Sequence, residues 1–552
     1  MTTAAQDVAR TLKTLGIRQV FALCADQTNS LLEAFVTEGI AVVGARQESA
    51  AVHMADGWSR ATGEPGVAIV GGGPGYVNAV TGIAVSQSAA TPVLVIGGQP
   101  VLHTRERNGH QILYQADITR TLTKWSQEVM SPATASEFVC RGLGMATAGK
   151  PGPVSLSIPV NVFDADAESS VYRTVPHTWR RDSGECPGAA SVVEAAALLN
   201  GASRPMMIVG GGAWWELPRA ALQPLAQQLG IPVFTTELAR GLIPDDGEIC
   251  FGYAHPAFSR TFRELRDADL IVLVGAEMNL HTGAPNRGWV GKDTKIVQLH
   301  RDPAQIGIGR ATDAALLGSL EYSLHSLARG LAGEARKRHG DWLQHIRKTY
   351  AHHRKEWDEL GRKHGAGANG AIHPMRVCTS LARHYSSDVR VVIDGGDFVH
   401  WPRLYFEAKT PGYWMDGAEL GALGASLPVG IGAQLGRPAG QTWVFIGDGG
   451  FGFYGFDLST AVENKLALKV IMGNDCCWGV ERRLQRKDFG RTVAVDLPDL
   501  EYHTVARGLG AQALLVDDPA RLDEAVDAMV ASEGPFVLNI KIPRDAGRPL
   551  MS

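Results

Sequence analysis

The chain is poor in cysteine, with seven in 552 residues (Cys24, Cys140, Cys186, Cys250, Cys378, Cys476 and Cys477) and no Cys-x-x-Cys pair. An odd, scattered set argues against a disulfide framework and a zinc cage and fits reduced thiols. No apolar run approaches the ~20 residues that cross a bilayer. Residues 1–17 also lack the continuous apolar stretch of a secretory signal. A soluble, cytoplasmic protein without a membrane partner is expected. Charge of one sign is not in excess either: 53 Lys and Arg face 57 Asp and Glu, a net charge of -4, which offers nucleic acid no surface. One tract, residues 333–368, is dense in Lys, Arg and His. Its acids are interspersed, and Trp342, Ile346, Tyr350, Trp357 and Leu360 recur at helical spacing, so it reads as a solvated connecting helix.

Hydrophobic residues make up 45% and charged residues 20% of the chain, as in ordinary globular proteins, and the length suits about three domains. Short apolar runs alternate with helix-period segments throughout. Strands are expected at 19–23, 41–44, 66–70 and 92–96, then at 205–209, 233–235, 270–274 and 295–299, and finally at 389–393, 443–446, 469–472 and 536–540. This alternation predicts an α/β protein of three doubly wound parallel sheets, in domains 1–165, 191–332 and 369–545 with a polar linker at 165–190. The central unit carries Gly210-Gly211-Gly212 after a strand, but Ala213-Trp214-Trp215 follows where a dinucleotide fingerprint needs its third glycine. A tight strand-to-helix turn is the commoner meaning, and a flavin or nucleotide stays an open alternative.

The most informative stretch runs from Val444 to Gln485. An apolar run ends at Ile446, breaks at Gly447-Asp448-Gly449-Gly450, and resumes with helical spacing through Leu458, Ala461, Val462 and Leu466. A second run, Ala467 to Met472, stops at Gly473-Asn474-Asp475. The order strand, turn, helix, strand, turn is one βαβ unit. Both strand ends of such a unit lie on the same sheet edge, where ligands of open α/β sheets bind. Asp448 and Asp475 are thereby placed to grip one hard cation, and the glycines let backbone amides approach a phosphate. Taken alone, Gly-Asp-Gly is equally a turn.

With Asn474-Asp475 one βα unit downstream, the stretch resembles the cofactor signature of thiamine-diphosphate enzymes, in which Gly-Asp-Gly is followed by Asn-Asn. Asp475 stands for the second Asn, keeping an oxygen ligand and adding a charge. The resemblance spans nearly the whole chain, in the order pyrimidine-binding, central and diphosphate-binding domain. The segment GARQESAAVHMADGWSRATGEPGVAIVGGGPG is similar to the pyrimidine-binding domain of the acetolactate synthase and pyruvate oxidase group. The resemblance implies that Glu48 hydrogen-bonds the aminopyrimidine nitrogen, which helps the cofactor shed its thiazolium C2 proton. It further implies that Asp448, Asp475 and the Cys477 carbonyl hold Mg2+ on the diphosphate. Leu423 would bend the cofactor from below, and the Gly421 carbonyl would accept from its amino group. Gly447, Gly449 and Gly450 would line the diphosphate. Asp397 and Phe398, following Gly396, stand where acetolactate synthases have Gln-His facing the diphosphate. A homodimer or homotetramer with the site between subunits is implied in the same way.

For the reaction, Asp26 stands where decarboxylase-like members carry a catalytic Asp, and Glu481 matches the acid that decarboxylases place above the thiazolium. Gln115 resembles the Gln that acetolactate synthases set near the reacting carbonyl. His103 is the one member present of a decarboxylase His pair. Acids close to the reacting carbon favour proton delivery and aldehyde release, although coupling uses acids as well. Asp26 as a turn or cap residue and Glu481 as a solvated charge are the plainer alternatives. Arg482 and Arg483 could bind an anionic substrate, with helix-surface charge as their default meaning. The expected activity is therefore cleavage or formation of a C–C bond next to a carbonyl in a small 2-oxo acid, hydroxy ketone or aldehyde. The alternatives are an enzyme like 2-hydroxyacyl-CoA lyase or oxalyl-CoA decarboxylase, a flavin-containing oxidase, and a catalytically degenerate binding subunit.

Overall fold

The computed structural model describes residues 2–167, 185–256, 258–279, 282, 288–364, 371–417, 420–544 and 546–547. Most of the polar segment expected at 165–190 therefore lies outside the described residues, as does Glu419. Among the described residues eighteen strands form three six-stranded sheets, parallel throughout. The first contains β1 (Gln19–Ala22), β2 (Ala41–Gly44), β3 (Gly66–Val70), β4 (Val93–Gln99), β5 (Trp125–Glu128) and β6 (Val154–Pro159) in the order β2-β1-β3-β4-β6-β5. The second contains β7 (Pro205–Val209), β8 (Val233–Thr235), β9 (Cys250–Tyr253), β10 (Leu270–Val274), β11 (Lys295–His300) and β12 (Ala314–Leu317) in the order β12-β11-β10-β7-β8-β9. The third repeats the first order with β13 (Val389–Ile393), β14 (Trp414–Asp416), β15 (Gln441–Gly447), β16 (Leu468–Asn474), β17 (Gln512–Val516) and β18 (Phe536–Lys541), arranged β14-β13-β15-β16-β18-β17.

The expected three-sheet α/β architecture is present, and the twelve expected strands all occur. The strands that sequence reading lacks are β5, β6, β9, β12, β14 and β17. Five of these are short outer strands, and β6 runs through Ser155, Ser157 and Pro159, whose composition conceals a wholly buried strand. The tract at 333–368 forms one long helix, Gly333–Lys363, with Trp342 and Ile346 buried; residues 365–368 lie outside the described residues. No helix among the described residues is long and apolar enough to cross a membrane.

Each sheet carries a strand-order reversal near its middle, between β1 and β3, between β7 and β10, and between β13 and β15, and the first and third turn back again at the edge pairs β6-β5 and β18-β17. At such a reversal the connections on either side leave for opposite faces, which opens a crevice beyond the carboxyl ends of the strands.

The first and third units share one hydrophobic core, built where helix Glu48–Thr62 lies against helix Ser426–Gly436. The approach is backbone to backbone. A Cβ on Gly57 would overlap the Val429 carbonyl, and one on Gly432 would overlap the Met54 carbonyl. The Arg46 amide donates to Asp457 Oδ1 at 2.8 Å, and Arg60 donates to the Asp416 carbonyl at 2.7 Å. Helix propensity alone would make Gly57→Ala a gain of about 1 kcal/mol. Because a main-chain carbonyl cannot rotate away, the clash dominates, and the expected result is a net loss of about 1–3 kcal/mol or more. Urea unfolding of the purified variant checks this; unchanged or raised stability would mean that the two helices separate easily.

Candidate active site

Asp448 and Asp475 leave adjacent parallel strands, β15 and β16, which pair in register from Thr442↔Leu468 to Gly447↔Gly473. The sheet thus carries both carboxylates to one edge, beside the strand-order reversal. The glycine break at 447–450 proves to be the start of a helix rather than a loop: Gly447 is the N-cap and Asp448 the first residue of helix Asp448–Tyr454. Asp448 is 1% exposed, and its Oδ2 has no hydrogen-bond partner. Burial, and then the neighbouring Asp475 carboxylate, push Asp448 above the usual carboxylate range; burial pushes Asp475 up as well. Two crowded carboxylates and an orphaned anionic oxygen form an unstable arrangement until a cation arrives. The donor set fits a hard divalent ion. Among the described residues no cluster of three or more His, Cys, Asp or Glu is built for a metal, so a backbone carbonyl, water or phosphate would complete the shell, as suits Mg2+.

Around this pair the lining divides into packed and open positions. Gly396 (φ +110°), Gly421 (φ +66°) and Gly447 face open space, with nothing within 4 Å of where a Cβ would stand. By contrast Gly449 backs onto the Trp478 ring and Gly450 onto Asp394. Leu423 is half-buried, its Cδ2 2.6 Å from a Cβ position on Gly395. Phe398 is buried against Gly473. Cys477 is 4% exposed and donates its amide to Asp475 Oδ1 at 3.3 Å. Asp397 is buried and bonded by Arg483, so Arg483 is not the free surface charge expected of it. Glu481, in the first turn of helix Gly479–Phe489, is exposed.

The other candidates sit on the first sheet. Glu48 is the first residue of its helix, after the N-cap Gln47. It is half-exposed and accepts from Asn78 Nδ2 at 3.1 Å, and a Cβ on Gly75 would lie 2.9 Å from its Oε1. Asp26 is exposed and accepts from the Gln27 amide at 3.0 Å, a local turn contact. His103 is exposed in the short helix Leu102–Arg107. Gln115 is wholly buried: it accepts from the Gly73 amide at 2.9 Å and donates to the Gly98 carbonyl at 3.0 Å and to Ser157 Oγ at 2.6 Å. With its amide committed in this way, it braces the Gly71–Gly73 loop.

Three supporting residues escaped the sequence reading. Asp394, at the end of β13, receives the Gly424 amide on both oxygens at 3.0 Å and is raised to about 7 by burial. Its Ile393-Asp394-Gly395-Gly396 segment repeats the strand-then-Asp-Gly pattern of 446–450 and was the available signal. Gln27, beside Asp26, accepts from the Gly72 amide at 3.2 Å and donates to Gln111 Oε1 at 2.8 Å. Arg544 donates to the Asp475 and Cys476 carbonyls at 3.1 and 3.3 Å, and no local pattern announces it.

In the central unit, Gly210–Gly212 meet the Gly275 loop at the strand-order reversal, with the Gly212 amide donating to the Gly275 carbonyl at 2.9 Å. The triple glycine thus makes a close loop contact. The two loops line a cleft of about 220 Å³ with Lys150, Thr236, Glu277 and His300, and Lys150 Nζ donates to Glu277 Oε1 at 2.8 Å.

Comparison with known proteins accounts for all three units. Family models described as "Thiamine pyrophosphate enzyme" match as the N-terminal TPP binding domain over residues 2–118, the central domain over 192–327 and the C-terminal TPP binding domain over 394–540. A "Probable acetolactate synthase" of Mycobacterium bovis is 30% identical over 97% of this chain and 94% of its own length. A "2-hydroxyacyl-CoA lyase 2" of Bos taurus is 29% identical over 98% and 90%, and an "Acetolactate synthase large subunit" of Lactococcus lactis is 26% identical over 98% and 93%. With both cofactor-binding domains matched and the Asp448–Asp475 pair standing within the C-terminal match, the chain belongs to the thiamine pyrophosphate enzyme family.

Proposed function

We propose that this thiamine-diphosphate enzyme cleaves or forms a C–C bond next to the carbonyl of a small 2-oxo acid, hydroxy ketone or aldehyde, with Mg2+ anchoring the cofactor. The observation that carries the reading is the buried Asp448–Asp475 pair with its unpartnered oxygen, set among glycines that face open space. The cofactor supplies the electron sink that carbon–carbon cleavage beside a carbonyl requires. The chain supplies the rest. Asp448, Asp475 and the Cys477 carbonyl hold the metal, Gly396, Gly421 and Gly447 make room for the diphosphate, Gly449 and Gly450 let the turn pack on Trp478 and Asp394 behind it, and Leu423 supports the ring system. Glu48 holds a proton at the aminopyrimidine. Asp26, His103 and Glu481 hand protons to or from substrate, and Gln115 braces the Gly73 loop.

Each half-site carries exposed apolar side chains. Val77, next to the Asn78 that bonds Glu48, and Tyr114, next to Gln115, stand at 46% and 56% exposure, and Phe453, on the helix that Asp448 begins, stands at 57%. Such surface normally belongs to an interface. It supports a homodimer, or a dimer of dimers, in which Glu48 of one protomer faces the metal pair of its partner.

A second reading, an acyl-CoA lyase, is favoured by the Bos taurus relative's name and by the central cleft between the Gly210–Gly212 and Gly275 loops, which opens at a strand-order reversal where open α/β sheets take ligands. Incubating the protein with Mg2+, thiamine diphosphate and a panel of 2-oxo acids, hydroxy ketones, aldehydes and 2-hydroxyacyl-CoA esters, with products read by mass spectrometry, tests both. Free aldehyde from an acid or ketone supports the first reading. Turnover confined to the CoA esters supports the second, and a yellow, flavin-containing protein would move the central cleft to flavin. No turnover on any member of the panel would refute both.

A further inference from the structure

Asp397 is a third acid on an edge that already carries Asp448 and Asp475. A Cβ placed on Gly479 would lie 3.0 Å from Asp475 Oδ2 and 3.6 Å from Asp397 Oδ2, so both carboxylates border the same point. An acid there opposes the binding of a polyanion, since like charges a few ångströms apart in a half-dry cleft repel strongly. The position is nevertheless 8% exposed and is answered by one side chain. Arg483, two residues beyond Glu481, grips Asp397 with two parallel bonds, Nε to Oδ2 at 3.3 Å and Nη2 to Oδ1 at 3.1 Å. Only a guanidinium makes this two-pronged contact with a carboxylate, and a lysine would supply a point charge without the fork.

Helix Gly479–Phe489 is what brings the arginine there. It starts at the metal-site loop, and the Trp478 amide donates to the Val495 carbonyl while the Arg482 amide donates to the Trp478 carbonyl. Arg482 Nε lies 4.0 Å from Asp496 Oδ1. The two adjacent arginines therefore approach different acids, and Arg483 is the one that pairs with Asp397.

We infer that Arg483 is a positioning residue for cofactor binding, which cancels the charge of Asp397 so that the thiamine-diphosphate anion can occupy the cleft beside it. The inference rests on the cofactor reading above and adds a residue and a sign to it. An ion pair that merely braced the fold would be symmetric, with loss of either partner equally harmful. Charge compensation is asymmetric. Removing Arg483 exposes an uncompensated carboxylate to the diphosphate, whereas removing the Asp397 charge removes the obstacle and leaves a spare cation.

The test is isothermal titration calorimetry of the full-length, metal-stripped protein with thiamine diphosphate at fixed Mg2+. It compares wild type, Arg483→Gln, Asp397→Asn, the double variant, and Asp448→Asn as a metal-site control, with the apoprotein Tm of each. The expected result is a Kd about 10–100-fold weaker in Arg483→Gln. Asp397→Asn should bind at least as tightly as wild type, and the double variant within about threefold of wild type. Apoprotein Tm values should agree within a few degrees. Equal weakening by both single variants, or unchanged affinity in Arg483→Gln, would overturn the inference while leaving the cofactor site intact. Wild type that fails to bind, or Asp448→Asn that binds like wild type, would overturn the cofactor reading and the inference with it.

Discussion

Replacing Glu48 by glutamine is expected to lower kcat by about 10²–10⁴-fold, with the fold and the affinity for thiamine diphosphate nearly unchanged. The expectation follows from shape and charge. The side chain accepts from Asn78 and lies against Gly75, and a carboxamide of the same outline still accepts there and still fits. Position is therefore kept. The amide nitrogen cannot take up and return a proton, and holding one at the aminopyrimidine is the task proposed for Glu48. The carboxylate also stands in the first turn of its helix, where a negative charge contributes about 0.3–1 kcal/mol at most, so its removal should shift Tm by only a few degrees. Steady-state turnover at saturating Mg2+ and cofactor, together with thermal unfolding, decides the matter. Full activity in the variant would exclude Glu48 from the chemistry, and an unfolded variant would show that the residue is structural.

For Asp448→Asn, metal affinity and apoprotein stability are expected to move in opposite directions. Affinity for Mg2+ with thiamine diphosphate should fall by at least about 100-fold, because one of two buried anionic donors becomes neutral and the diphosphate loses its anchor. The metal-free protein should become more stable, since the buried charge and its repulsion from Asp475 are both relieved. The dependence on pH follows from the same two groups. Their carboxyls are raised above the ordinary range, so the native apoprotein holds protons that the unfolded chain has released. Its stability is then highest at low pH and falls as pH rises through the raised values. Metal binding must displace those protons, so Mg2+ affinity should rise with pH over the same range. Parallel losses of affinity and apoprotein stability, or an affinity independent of pH between about 5 and 8, would contradict a metal role for the pair.

Part of this site was legible because it obeys short-range rules. A strand that ends in Gly-Asp-Gly, one βα unit before a strand that ends in Asn-Asp, must put its two acids on one edge of a parallel sheet, whatever the rest of the chain does. The place of Glu48, at the start of a small-residue helix after a strand end, was legible through a stretch similar to a known domain. The small residues of that helix already allow a close neighbour, but nothing in them names Ser426–Gly436 as the neighbour, far along the chain.

Alternation of apolar runs and helical periods was therefore enough to specify three α/β units, and the spacing of Asp448 and Asp475 was enough to put both acids on one sheet edge. Tertiary structure alone decided that Asp394 secures the Gly424 loop, that Arg544 holds the carbonyls behind Asp475, that Gln115 is sealed inside, and that Arg483 closes on Asp397 rather than projecting into solvent. The physical reason is range. Hydrophobic periodicity and turn chemistry act over a few residues, while each of these contacts joins side chains that only the strand order of a finished sheet brings together.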